Sequence, residues 1–291
     1  MLNAHEIKGR IKSIEETRQI TNAIQLISAS KLKKAIKLSD SNLKYFKVMR
    51  SILKDILMRT EMITHPYFVK REGKRVAFLV IASDKGLAGE FNKRVLELAY
   101  NDMKDYHEKY IFTIGKKATE YLNKHGIPTD IEFLKIAQNP TLDDARHLTM
   151  DILELYDQNI LDEVHMTFTS FEGKSRQYAQ TIKLLPLERK DFEKVESFIA
   201  DEKLKDKFVF VPSPQEVFDV LIPQYMIGLI YGALVQSSAA EHFERMIAMK
   251  SSLDNADKML KTLKLKAQRV RQEKITTELQ EISMAVVNNA E

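Results

Sequence analysis

The chain has 291 residues, 44% of them hydrophobic, with 45 Lys and Arg against 41 Asp and Glu, seven His and no Cys. That apolar content builds a real core and excludes a disordered polypeptide. The missing cysteines remove disulfides, thiolate nucleophiles and cysteine metal sites together, which fits a reducing compartment.

Fifteen of the sixteen glycines and prolines lie between Pro66 and Gly232. The stretches 10–65 and 233–291 therefore carry no helix breaker. At 1.5 Å per residue two uninterrupted helices there would reach about 85 and 90 Å, longer than one compact domain is wide. The first stretch sets Ile7, Ile11 and Ile14, then Ile20, Ile24 and Ile27, then Leu32, Ala35 and Ile36 at the 3–4 spacing of one helical face. The opening Met1-Leu2-Asn3-Ala4-His5-Glu6 has neither the apolar core of a signal peptide nor an Arg/Ser-rich transit segment, so cytosolic placement is the default expectation.

Residues 1–50 hold eleven Lys or Arg against four acids, a balance of +7, whereas the whole chain is only +4 and the remainder is −3. A basic helix of this kind suits either a phosphate backbone or an acidic protein surface. No aromatic residue precedes Tyr45, and neither a recognition helix nor a zinc finger is present. Nucleic acid is not expected as a partner.

The middle of the chain changes rhythm. Val76 to Ala82 is a continuous apolar run, followed by an amphipathic stretch from Leu96 to Tyr106. A second strand is expected at Tyr110–Ile114, a helix at Lys117–His125 closed by Gly126, a third strand at Asp130–Ile136 and a third helix at Asp143–Tyr156. Val164–Phe171 and Tyr178–Leu185 then read as a hairpin around Glu172-Gly173-Lys174. Strand and helix in alternation predict a small, mostly parallel α/β sheet with an antiparallel edge. Phe192 to Lys207 is charged and poorly patterned and reads as a surface excursion. A last helix starts near Pro214.

Residues 220–240 contain no charge and match a bilayer crossing in length, but they include Pro223, Gln224, Gln236, Ser237 and Ser238 and are closed by Asp219 and Glu241. They read as a helix buried on most sides, with no transmembrane segment, and Pro223 should mark a kink or a fresh start. Beyond them a heptad sets Met246, Leu253, Leu260 and Ala267 at one core position and Met249, Ala256, Leu263 and Val270 at the other. After Val270 the seam moves to Ile275, Leu279, Ile282 and Val286, a register slip that changes the supercoil locally. Pairing the two tails antiparallel is the economical arrangement; an intermolecular coiled coil satisfies the same heptads.

Ser83-Asp84-Lys85-Gly86-Leu87-Ala88-Gly89 follows the first strand, where α/β sheets bind ligands. It is not GxGxxG, and no GxxxxGK[ST] is present. The histidines are isolated, no HExxH occurs, and no catalytic constellation can be read.

The residues nevertheless form ordered blocks: Glu6-Ile7-Lys8 through Arg10-Ile11, Ser13-Ile14, Thr17, Ile20-Thr21 and Ala23 to Ser28-Ala29-Ser30-Lys31; Ser83 to Gly89 with Asn92; Arg245 to Lys250 with Asp254-Asn255-Ala256; and Arg271-Gln272, Ile275-Thr276, Glu278-Leu279 and Glu281-Ile282. Together they span the chain, which resembles the gamma subunit of bacterial F-type ATP synthase. The resemblance implies an antiparallel coiled coil of the N- and C-terminal helices (1–65 and 214–291) on a Rossmann-like, mostly parallel α/β domain (66–213). It implies a non-catalytic central shaft inside a hexameric ring of alpha and beta subunits, resting with an epsilon subunit on the membrane c-ring, at the cytoplasmic face of the cell membrane. No cofactor is expected on this chain, ATP, ADP and Mg being bound by partner subunits. By likeness, Arg271, Gln272, Thr276 and Glu278 fall where the last helix meets beta-subunit loops, and Lys31, Lys33 and Lys34 where an acidic loop of beta is within reach. Ile20, Ile24 and Ile27 would pack with Met246, Met249, Leu253, Ala256, Leu260, Leu263 and Val270 in the coiled-coil core. Ala88, Ile24 and Met284-Ala285 depart from the family pattern by small apolar exchanges.

Overall fold

The structure is a computed structural model that describes residues 4–59, 63–173, 175–193, 196 and 210–288. Its packing divides the chain into two units, one of Met1–Ser28 with Arg245–Glu291 and one of Ala29–Glu244. The division runs through two long helices, α1 (Ala4–Arg59) and α6 (Pro214–Asn288), each of which contributes to both units. At 1.5 Å per residue their 56 and 75 residues are about 84 and 112 Å of helix. Helix α6 continues through Pro223, so no new helix starts there.

The unit Ala29–Glu244 is built on a five-stranded sheet: β1 (Val76–Ile81), β2 (Lys109–Ile114), β3 (Ile131–Phe133), β4 (Glu163–Glu172) and β5 (Arg176–Leu185), in the order β3-β2-β1-β4-β5. All neighbours are parallel except β4 and β5, which form the antiparallel hairpin. Every residue of β1 is buried because both faces of the sheet are covered. Ala77, Leu79 and Ile81 enter a core with Met49, Leu53 and Ile56 of α1, Leu148 and Ile152 of α4 (Leu142–Asp157), and Phe218, Ile222 and Met226 of α6. Val76, Phe78 and Val80 enter a second core with Val95, Ala99 and Met103 of α2 (Phe91–Met103) and Ala118 and Leu122 of α3 (Lys116–Lys124). The continuous apolar run is thus two period-two stripes superposed. The uncharged stretch of α6 is apolar and long enough to cross a membrane, yet its members line the first core, as Ile227, Ile230 and Leu234 do.

Several boundaries differ from the sequence expectations. Helix α2 begins at Phe91, five residues ahead of Leu96, directly after the positive-φ turn at Gly89. Strand β3 is only three residues long, not the seven of Asp130–Ile136. Asp130 meets Ile111 with its own backbone N–H and with its carboxylate, which accepts from Ile111 N at 2.6 Å. Leu134 is exposed, Lys135 is left-handed with φ 69°, and the chain turns into a short 3-10 helix at Ile136–Gln138. Phe192, expected on a surface excursion, is buried within the short helix α5 (Lys190–Glu193); most of 194–207 lies outside the described residues. Helix α4 starts with a reciprocal capping box between Thr141 and Asp144.

In the unit Met1–Ser28 with Arg245–Glu291 the two helical segments run antiparallel, as the ion pairs Arg18–Asp257 (2.5 Å) and Glu15–Lys264 (2.8 Å) require. On α6, Met249 and Leu260 are buried and Met246, Leu253, Ala256, Leu263, Ala267 and Val270 half-buried. On α1 the covered stripe differs from the one expected. Ile20 is 63% and Ile27 57% exposed, and Ile24 is half-buried. Ile7, Ile14, Leu32 and Ala35 are covered as expected, but between them Thr21 and Ser28 take the covered side, in a series Ile7, Ile14, Thr21, Ser28, Ala35, Asn42, Met49 and Ile56 spaced seven apart. Thr21 Oγ1 donates to Thr17 O at 2.8 Å and Ser28 Oγ to Ile24 O at 2.7 Å, so both hydroxyls are satisfied inside the helix and tolerate the covered side. A hydrophobicity pattern cannot see a seam whose middle is made of Thr and Ser.

Candidate functional site

Between Arg271 and Gln280 every residue of α6 is exposed, Arg271, Gln272, Thr276 and Glu278 included. Thr276 Oγ1 donates to Gln272 O at 2.9 Å, and Lys274 reaches Glu278 at 3.6 Å. Ile275 and Leu279, expected to continue the seam, are 46% and 62% exposed; Ile282 and Val286 lie where no side chain is described. The pairing explains this. Glu15 lies opposite Lys264 and Arg18 opposite Asp257, and since both helices rise equally per residue, the start of α1 at Ala4 falls opposite about residue 273. Past that point α6 has no helical partner within the described chain. Ile275 and Leu279, one helical turn apart, therefore stay in solvent among polar side chains.

Lys31, Lys33 and Lys34 are exposed on the part of α1 that belongs to the sheet unit. Lys34 Nζ donates to Asn139 Oδ1 at 3.2 Å. Lys31 and Lys34 border a cavity of about 30 Å³ with Asn139, Pro140, Ser238 and His242, which is room for one water. Lys31 and Lys34 thus share one side of the helix, with Lys34 already tethered, while Lys33 does not line this cavity.

The carboxyl ends of β1 and β4, where the strand order reverses, are the usual ligand crevice of such a sheet. Here the chain fills it. Ser83 donates through its backbone N and its Oγ to Asn92 Oδ1, at 3.0 and 2.9 Å, and Asp84 Oδ1 accepts from Lys116 N at 3.2 Å. Gly115 lies against the backbone of Ala82 so closely that a Cβ would come within 2.3 Å of its carbonyl oxygen. Gln236 Oε1 accepts from Ser170 Oγ at 2.8 Å, and Ser237 Oγ accepts from Thr169 N at 3.2 Å. The Glu244 carboxylate sits on Gly89 and accepts from Arg94 and Gln177. A fixed anion there disfavours a phosphate in the same place. Among the described residues no group of three His, Cys, Asp or Glu could hold a metal ion.

Two features escaped the sequence reading. Gly228 and Gly232, one helical turn apart on α6, give α1 a close approach, with Asn42 Nδ2 donating to Gly228 O at 3.2 Å. The G-x-x-x-G spacing was visible, but not the helix it faces. The grip of Glu244 on α2 and β5 joins residues 150 and 67 positions apart and leaves no local signal.

A family model described as ATP synthase matches residues 3–286. The ATP synthase gamma chain of Alkaliphilus metalliredigens is 39% identical over 279 residues, covering 95% of each chain. The chain belongs to the ATP synthase gamma chain family. The gamma chain of Caldanaerobacter subterraneus is 37% identical over 294 residues, covering 97% of this chain and 98% of the relative. Among solved structures, a chain of the Euglena gracilis mitochondrial ATP synthase (OSCP/F1/c-ring, rotational state 3) matches with a TM-score of 0.67 at 14% identity, covering 98% of this chain and 93% of the other. A chain of the rotor of the same complex, in rotational state 1, matches with a TM-score of 0.63 at 14% identity over 94% and 98%. These two likenesses concern the fold alone.

Proposed function

We propose that this gamma chain is the central rotor shaft of an F-type ATP synthase. It couples ion-driven rotation of a membrane c-ring to sequential conformational changes of catalytic beta subunits, at the cytoplasmic face of the cell membrane. The chain itself makes and breaks no bond; nucleotide and Mg are held by partner subunits. The observation that carries the reading, beside family membership, is that α1 and α6 both belong to the sheet unit and to the paired unit without a break in either helix. Torque entering one unit then passes to the other through two continuous hydrogen-bonded rods. The exposed stretch 271–280 supplies the surface that touches beta, and unequal contact with three beta subunits is what shifts their populations. Lys31, Lys33 and Lys34 offer a second, cationic contact to an acidic beta loop, and epsilon and the c-ring are the partners of the sheet unit. Alpha and beta subunits, epsilon and the c-ring are thus its four kinds of partner, all of them proteins.

Copurification tests the reading. The tagged chain should bring down alpha and beta subunits as a Mg-dependent ATPase, while the chain alone hydrolyses no ATP. Recovery without those subunits, or with nucleic acid released by salt, would refute it.

A further inference from the structure

Within the sheet unit, α6 is pinned to the sheet over residues 236–244. Gln236 and Ser237 bond to Thr169, Ser170 and Phe171 on β4. About two turns further on, Glu244 accepts from Arg94 Nη2 of α2 at 2.8 Å and from Gln177 Nε2 of β5. Its side chain is 15% exposed, unlike the solvent-facing ion pairs that contribute little. Gly89, in the loop after β1, completes the seat. It has φ +53°, and any Cβ there would lie 2.6 Å from Glu244 Oε2. The loop, a helix and a strand thus converge on one carboxylate. Glu244 is also the last residue of α6 that belongs to this unit, and the helix runs on to Asn288.

Rotation of α6 about its own axis at residue 244 must pull the carboxylate off all three elements at once. Resting on the rotor reading above, we propose that Glu244 is a positioning residue that locks the rotational setting of α6 against the sheet, with Arg94, Gln177 and Gly89 as its seat. Torque then passes at this joint and is not dissipated as axial twist of the helix. The bonds at Gln236 and Ser237 hold the helix down on β4, whereas Glu244 is held at once by the loop after β1, by α2 and by β5.

The test uses the assembled complex in sealed membrane vesicles, with ATP hydrolysis and ATP-driven ion uptake measured on the same sample. Glu244→Ala should assemble and hydrolyse ATP at the wild-type rate yet lose ion uptake per ATP hydrolysed. Gln177→Ala, which leaves the Arg94 pair in place, should show a smaller loss of the same kind. Gly89→Ala should reproduce Glu244→Ala, and the Gly89→Ala/Glu244→Ala double variant should be no worse than either single one, because one joint is broken in all three. A merely structural role would lower assembly and hydrolysis together and leave uptake per ATP unchanged, which overturns the proposal. So does a Glu244→Ala complex that pumps like wild type. If the wild-type chain fails to assemble with alpha and beta subunits, the rotor reading falls first.

Discussion

Replacing Gly228 by Ala sets two opposing effects against each other. Ala in place of a helix-interior Gly stabilises by about 1 kcal/mol through backbone entropy. Against this, the new methyl would lie 3.1 Å from Phe46 Cδ2. Phe46 is stacked on buried Tyr225 with centroids 5.1 Å apart and planes 13° from parallel, so the ring can give way only by disturbing that stack. Overpacking of this kind costs about 1–3 kcal/mol, and the net expectation is a loss of about 1 kcal/mol. Gly232 is the internal control. A Cβ there meets Asn42 Nδ2 at 2.9 Å, the free end of a side chain that can swing away. It gives up its bond to Gly228 O, a cost of about 1 kcal/mol that cancels the helix gain. Urea unfolding of the isolated chain should therefore show Gly228→Ala shifted to lower midpoint and Gly232→Ala within about 0.5 kcal/mol of wild type. A Gly228→Ala chain more stable than wild type would refute the claim that close approach of α1, and not chain entropy, governs this position.

The seam of the paired helices can be tested by contrast: Leu260→Ala should cost about 2–3 kcal/mol in thermal unfolding, and Ile27→Ala less than about 0.5, because Ile27 is exposed. Asp162 is 3% exposed and takes both a bidentate pair from the Arg75 guanidinium and the Arg75 backbone N–H. Asp162→Ala should cost about 3 kcal/mol. The Arg75 hydrogen bonds hold its carboxyl below the ordinary value of 3.8, so its contribution is present above that pH and lost as pH falls through the lower folded value; acid unfolding of wild type and Asp162→Asn should converge there. Burial pushes the Tyr225 phenol from 10.0 up to about 12. Its contribution is full below pH 10 and lost as pH rises toward 12, so Tyr225→Phe should flatten alkaline unfolding across that window, read by circular dichroism.

The α/β sheet was legible because β1, β4 and the helix faces repeat their apolar residues at the periods of strand and helix. The covered stripe of α1 was legible at Ile7, Ile14, Leu32 and Ala35 but not between them. Ile20 and Ile27 outscore Thr21 and Ser28 on any hydropathy scale, yet they sit one residue, about 100°, around the helix from the side that α6 covers. Strand β3 was overread because Leu134 and Ile136 extend its apolar run while Lys135 turns the chain out of the sheet.

The sequence by itself determined the division of labour along the chain: two breaker-free termini, an alternating middle, and ordered blocks that identify the family. These follow from backbone rules and periodicity, which act within a few residues. Which side of α1 is covered, where α6 loses its partner, and how Glu244 seats on Arg94, Gln177 and Gly89 were decided only by tertiary structure. Such contacts join residues far apart in the chain, and their energy exists only once the elements have packed.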